Sequence, residues 1–376
     1  MKLRVDLTTA LRYTQMSVFL ACSWPPSKFK TNSQRFWFDL RWFIGLTVLL
    51  LLFVPLLNGA YIYRNNTVVF VKAVCMCSAI AQAIVKMSIC RMKLSNLQML
   101  HSDLDNYITK ANVVERKILQ VYVDRSATFH GIVTLSMWLV CLAFIIEPII
   151  LSEPFPTDVV YPFPINHSFI HITLYSQQVL ALFVVASALS IDFQVALLLW
   201  FTAAKFEILG HYFEQVSNEI ELVNCIKIHQ KILQYANNIS VTVRFIALVT
   251  IATTTVGLIC GGIILISNQP MPVKLRIGNI VGNAAIELFI YSWPADQLIQ
   301  TSQAMGGKVY NCQWHDKSCR MLKTIQTVIH RSQKPAIISV HGFMPYLSLT
   351  YYTSILSTTF SYFTTLRVIF LMEPTT

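Results

Sequence analysis

Along this chain the apolar residues arrive in blocks of about twenty, divided by polar and charged stretches, and runs such as Trp42 to Leu57 and Ile246 to Ile266 are nearly unbroken. A helix of that length crosses a hydrocarbon core of roughly 30 Å at about 1.5 Å per residue. A barrel would need short strands of alternating character, and only structures that close their own backbone hydrogen bonds survive in lipid. The pattern predicts an all-α integral membrane fold, a single domain over residues 1–376, with seven spans near 36–57, 68–92, 128–151, 170–201, 244–266, 277–299 and 344–372. No internal repeat divides the chain. Between spans, Leu94 to Tyr107 and Glu219 to Tyr235 carry apolar residues at three- and four-residue spacing among charges, which predicts helices continuing below the membrane as a layer of their own.

Composition agrees. Of 376 residues, 55% are hydrophobic and 12% charged, with a mean hydropathy of +0.54, whereas charged residues approach a quarter of a water-soluble domain. The formal charge of +11 raises nucleic acid as a partner, but the Lys and Arg flank apolar blocks instead of lining one basic, aromatic-interleaved face, so no nucleic-acid partner is expected. With the amino terminus in the cytoplasm, 23 of the 29 Lys and Arg fall in or beside the inner segments 1–35, 93–127, 202–243 and 300–343. The positive-inside rule then puts the carboxyl terminus outside, opposite to G-protein-coupled receptors, and makes about 300–343 cytoplasmic. The apolar piece Met16 to Cys22 is too short for a cleavable signal, so the first span is expected to direct insertion. Asn65 and Asn166 open sequons in predicted outer loops and are candidate glycosylation sites; the Asn238 sequon falls inside. No pair of the nine cysteines occupies an outer loop, so no disulfide framework is expected.

Catalytic patterns are missing: there is no phosphate-cradling glycine loop, no paired CxxC and no nucleophile elbow, so the chain is not expected to be an enzyme and no cofactor is implied. His167 with His171 and Cys75 with Cys77 have metal-like spacing but lack a four-ligand set.

Ionisable residues inside spans carry more information, since a charge near the bilayer midplane must face protein, a partner or water. Lys72 and Glu147 lie near span ends, where they snorkel; Lys86 lies inside the second span, and Asp192 and Glu287 are deeper, serving either a buried ion pair or an ion path. Spans two, three, four and six also mix Val71, Val74, Trp138, Phe144, Tyr175, Phe183 and Ile286 with the small polar groups of Ser78, Gln178 and Asn283. Such a mixture suits a pocket for a small apolar ligand, or helix packing. The last span is hydroxyl-rich from Ser348 to Thr365, which suits a pore-lining helix, with interhelical hydrogen bonding as the alternative.

Two stretches carry a family resemblance: Tyr291-Ser292-Trp293-Pro294-Ala295-Asp296-Gln297-Leu298, and Thr350-Tyr351-Tyr352-Thr353-Ser354-Ile355-Leu356 followed by Ser361-Tyr362-Phe363-Thr364. The chain resembles an insect odorant receptor there, and its length and inverted seven-span topology extend the match. The resemblance implies an odorant-gated, non-selective cation channel of four subunits in the plasma membrane of sensory neurons, in which a tuning subunit pairs with the olfactory co-receptor. The inner segment 202–243 lacks the co-receptor's long insertion, so this chain resembles a tuning subunit. Matching the family's Tyr-Phe pair to Tyr362 and Phe363 places a pore gate at Tyr362, Thr365 and Ile369. Thr365 departs from the usual aliphatic residue, which implies that the co-receptor supplies most of the seal. Gustatory receptors share the architecture, but their hallmark has Gln-Phe where this chain has Ser357-Thr358. A secondary transporter would show inverted repeats, which this chain lacks.

Overall fold

The computed structural model describes residues 5–26, 31–151, 154–157, 159–165, 167–315 and 317–372. Asn166 and the side chains of Glu147 and Ile369 lie outside the described residues. Among the described residues the chain forms eleven α-helices, and its extended pairing is one isolated bridge between Val340 and Met344.

In order these are α1 (Leu7–Ser17), α2 (Asn32–Ile62), α3 (Thr67–Met92), α4 (Leu94–Lys110), α5 (Val113–Leu151), α6 (Ser168–Leu189), α7 (Ile191–Glu214), α8 (Glu219–Ile266), α9 (Met271–Tyr310), α10 (Cys319–Ser332) and α11 (Leu349–Met372). Starts are set by short polar caps: Asp6, Thr31, Asn66, Asn218 and Ser318 each accept a backbone N–H from the first turn. Among the described residues, five stretches are long and apolar enough to cross a membrane: α2, α3, α5, α6 running into α7, and α8. The two remaining predicted spans, α9 and α11, pack along α8. Asn279, Asn283 and Glu287 dilute the apolar character of α9, and hydroxyls do the same for α11.

Several helices outrun a bilayer. At 48 residues, α8 is about 72 Å long, more than twice a hydrocarbon core. Its first half joins α4, the last turns of α7 and α9, and α10 in the layer that the charge-spaced apolar pattern predicts. Leu97, Leu100, Leu104 and Ile108 of α4 and Leu222, Ile232, Tyr235 and Ile239 of α8 are its buried seam.

The predicted fourth span, 170–201, is two helices meeting at Ser190, whose hydroxyl donates to the Ala186 carbonyl. The break puts Asp192 in the first turn of α7, where the helix dipole favours a carboxylate. The amino-terminal segment, too short to span, docks instead: the Ala21 N–H donates to Ser187 Oγ, which donates to the Ser17 carbonyl, and Ser23 Oγ donates to Gln194 Oε1. Cys22 makes that turn with φ +53°, and Val18, Ala21 and Cys22 are buried. Hydropathy could not show this seat, because α6 and α7 create it.

Candidate functional site

Polar residues on α3 and α9 recur every four positions and therefore share one face of each helix. On α3 these are Ser78, Gln82 and Lys86; on α9, Asn279, Asn283, Glu287 and Tyr291. The two faces meet across the bundle. Lys86, fully buried, donates to both carboxylate oxygens of Asp192 at 2.7 and 2.8 Å and to Glu287 Oε1 at 2.7 Å, which uses all three of its N–H groups. Tyr291 donates its phenolic O–H to Asp192, Gln82 donates to Glu287 Oε1, and Thr254 of α8 donates to Glu287 Oε2 at 3.2 Å. One ammonium and two carboxylates thus tie four helices together. Buried ions persist only when each is paired and hydrogen-bonded, as these are.

Above this network lies a cavity of about 120 Å³ enclosed by α2, α3, α5, α6, α8 and α9. Its wall is apolar, built from side chains such as Ile80, Met137, Val140, Phe144, Leu182 and Ile280, and Gln82 and Glu287 form its floor. On the side of the α2–α3 turn, the α5–α6 connection folds over the bundle. Thr157 donates to Gln178 Oε1, Gln178 Nε2 donates to the Tyr161 hydroxyl, and Asn58 holds the Val160 carbonyl. A void of about 20 Å³ beneath this cover shares Cys75, Met76 and Phe144 with the cavity wall and is bordered by Lys72 and Arg276. The Arg276 guanidinium sits 4.3 Å from the Phe144 ring centroid.

The back of α9 carries α11. Phe289 meets Tyr352 edge-on at 5.7 Å and stacks on Trp293, and Asp296 Oδ1 accepts the Leu349 N–H at the start of α11. Farther along, Phe363 lies against Gly262 of α8 so closely that an added Cβ would stand 2.8 Å from the ring. Tyr351, Tyr352, Ile355, Leu356, Thr359 and Phe363 face the bundle, while Thr350, Thr353, Ser354, Ser357, Thr358, Ser361, Tyr362 and Thr365 are exposed.

This helix order, cavity and last helix with one exposed face accompany a match to the model of the 7tm Odorant receptor family over residues 66–360. The chain belongs to that family. It is a membrane protein of a receptor family and not an enzyme. It is 28% identical over 152 residues to Odorant receptor Or2 of Anopheles gambiae, covering 40% of this chain and 39% of that receptor. It is 27% identical over 222 residues to Odorant receptor 9a of Drosophila melanogaster, covering 56% and 55%. The chain therefore spans about half the length of the curated relatives it matches. Its fold is similar to that of the insect olfactory receptor OR5 from Machilis hrabei in complex with eugenol, with a TM-score of 0.79 at 15% identity over 97% of this chain and 100% of that one.

Within this member of the odorant receptor family, three of the residues singled out by sequence line the cavity: Ser78, Phe144 and Asn283. The other seven lie around it. Trp138 and Phe183 pack ring against ring at 5.7 Å, and Tyr175 donates to the Ile145 carbonyl. Gln178 is held by the α5–α6 connection, and Ile286 packs on the main core. Val71 joins Ile264, Val273 and Ile277 in a separate small cluster, with Val74 half-buried on the same helix. The floor residues Gln82 and Glu287 and the bridge Lys86–Asp192 are the larger omission from the sequence-based pocket. The four-residue stripes on α3 and α9 were the signal that finds them, since a polar stripe inside an apolar helix must face other polar groups. Of the gate positions, Tyr362 and Thr365 are exposed on α11; Asn65, in the α2–α3 turn, is exposed as well.

In the layer beyond the bundle, the Lys205 ammonium lies 4.3 to 5.1 Å from the ring centroids of Tyr235, Phe201 and Tyr107. Burial lowers its pKa to about 8, with Asp103 opposing the shift.

Proposed function

We propose that this chain is the odorant-binding tuning subunit of a ligand-gated, non-selective cation channel formed with the olfactory co-receptor in a tetramer. Its place is the plasma membrane of sensory neurons, amino terminus inside and carboxyl terminus outside. The observation that carries the reading is that α9 is shared: one face lines an apolar cavity and the other holds α11, whose hydroxyl face has no neighbour among the described residues. An exposed polar helix in a membrane-spanning bundle requires a wet conduit or neighbouring subunits, and a tetramer supplies both.

In this mechanism a small apolar odorant enters the cavity and touches Ser78, Phe144 and Asn283. Trp138, Tyr175, Gln178, Phe183, Ile286, Val71 and Val74 hold the surrounding helices in register. Occupancy favours an arrangement of α9 that draws α11 away from the pore axis, and binding drives opening to the extent that the open state holds ligand more tightly. Tyr362, Thr365 and Ile369 form this subunit's part of the gate, the 300–343 segment anchors it to its neighbours, and Asn65 and Asn166 are the glycosylation acceptors. The Machilis hrabei receptor was solved with eugenol, a small aromatic molecule, which supports a ligand of that general class.

Whole-cell current in cells expressing this chain with the co-receptor tests the reading. Current evoked by volatiles, requiring both subunits and surviving a block of G-protein signalling, is the expected result. Ligand-driven substrate flux without cation current would replace the channel with a transporter.

A further inference from the structure

Around Asn283 the free hydrogen-bonding capacity of the cavity wall is that of an acceptor, and the donor left at the floor is the second N–H of Gln82, whose first goes to Glu287 Oε1. The wall hydroxyls are already committed as donors: Ser78 to the Cys75 carbonyl, Thr253 to the Val249 carbonyl and Thr254 to Glu287. The Asn283 amide uses its N–H groups on Ser136 Oγ at 3.0 Å and Asn279 Oδ1 at 2.8 Å. Its orientation is fixed by the same pair, because Ser136 gives its own proton to Asn279 Oδ1 and so offers Asn283 only a lone pair. Asn283 Oδ1 is left over. It is buried, has no hydrogen-bond partner, and belongs to a side chain that is 9% exposed and lines the cavity. One turn along α9, Glu287 accepts one donor at Oε2 and two at Oε1, which leaves lone-pair capacity at the floor.

A buried acceptor with no partner costs free energy that a bound donor recovers. Resting on the reading of this cavity as the odorant site, we infer that it selects a compact apolar molecule carrying one hydroxyl, whose O–H donates to Asn283 Oδ1. Ketones, esters and ethers bring an acceptor against Asn283 Oδ1 and leave it unpaired, so they bind more weakly. An ammonium is not required, because Glu287 is already met by Lys86, Gln82 and Thr254. Size follows from volume: about 120 Å³ is slightly less than the ~150 Å³ cavity that holds benzene, so single-ring compounds of about six or seven heavy atoms are the size class.

The test uses the full chain with the co-receptor, purified into nanodiscs, and measures binding of phenol, toluene, cyclohexanol, cyclohexanone and methylcyclohexane by ligand-induced thermal stabilisation, with whole-cell currents recorded in parallel. Phenol over toluene, and cyclohexanol over cyclohexanone and methylcyclohexane, should each be favoured by about tenfold. Asn283→Leu should bring these ratios to within about twofold, and Ser136→Ala, which frees the amide to turn over, should narrow the alcohol-over-ketone ratio. Equal binding within the pairs, preference for the ketone, or no binding by any of the five overturns the inference; these wild-type ratios decide it even where Asn283→Leu does not fold. Selective binding without current upholds it and removes the channel reading, while current without selectivity does the reverse.

Discussion

Helices α7 and α11 both carry polar side chains through a membrane-spanning bundle, and they use them in opposite ways. On α7, Asp192 and Gln194 are buried, and Asp192 is answered by Lys86 and Tyr291, Gln194 by Ser23 and His101. On α11, Thr353, Ser361 and Thr365 are exposed and bond back to the carbonyls of Thr350, Ser357 and Ser361. A polar group whose partner lies on another helix holds the subunit together. One satisfied by its own turn leaves its helix free to move and its outer lone pairs free for water, ions or a neighbouring subunit.

The sharpest way to break this contrast is to remove the cation on the α7 side. Lys86→Met leaves Asp192 and Glu287 facing each other without a counter-charge, and should cost about 3–5 kcal/mol, measured as loss of monodisperse folded protein in detergent. Glu287→Gln keeps an acceptor for Lys86 and removes one of two negative charges, so it should fold; equal damage from both variants would refute the account of the network.

Acid should act next. His229 is packed between Phe206 and Phe213, and burial, with Arg331 adding to it, lowers its pKa to about 4; burial lowers that of His101 to about 3. Between pH 6.5 and about 4 the unfolded chain binds protons that the folded layer refuses, so stability falls as pH falls, by about 3 kcal/mol for His229 alone at full acidification. His229→Phe should flatten that part of a melting-temperature profile against pH.

Gly262→Ala should cost about 1–3 kcal/mol by forcing the Phe363 ring aside, and its larger effect should be on gating, read as a shift in current at unchanged surface expression. Smallest of all, Ser357→Ala or Ser361→Ala should change the melting temperature by no more than about 0.5 kcal/mol is worth, while altering single-channel conductance. A large loss of stability there would mean that these hydroxyls hold the fold after all.

Much of the fold was legible because burial in lipid imposes length. The apolar blocks became helices, but α5, α7, α8 and α9 run well past the predicted span bounds, because their ends continue beyond the bundle into the layer where the charge-spaced stretches from Leu94 and Glu219 also lie. The break at Ser190 was not legible, since both sides of it are apolar. Of the cavity, composition found Ser78, Phe144 and Asn283 but could not tell a wall position from one half a turn away, such as Trp138 or Val74. Which face of a uniformly apolar helix turns inward depends on what packs against it.

The sequence alone determined that apolar helices of spanning length build the chain, the oddness of the last one, and the presence of three charges that had to be answered inside the bundle. Local spacing and the cost of stranding a charge in hydrocarbon suffice for that. Tertiary structure decided that Lys86, Asp192 and Glu287 answer one another, that the amino-terminal segment seats on Ser187 and Gln194, and that Asn283 keeps an unused acceptor beside an empty volume. Those pairings join residues up to 201 positions apart, and they exist only once several helices have met.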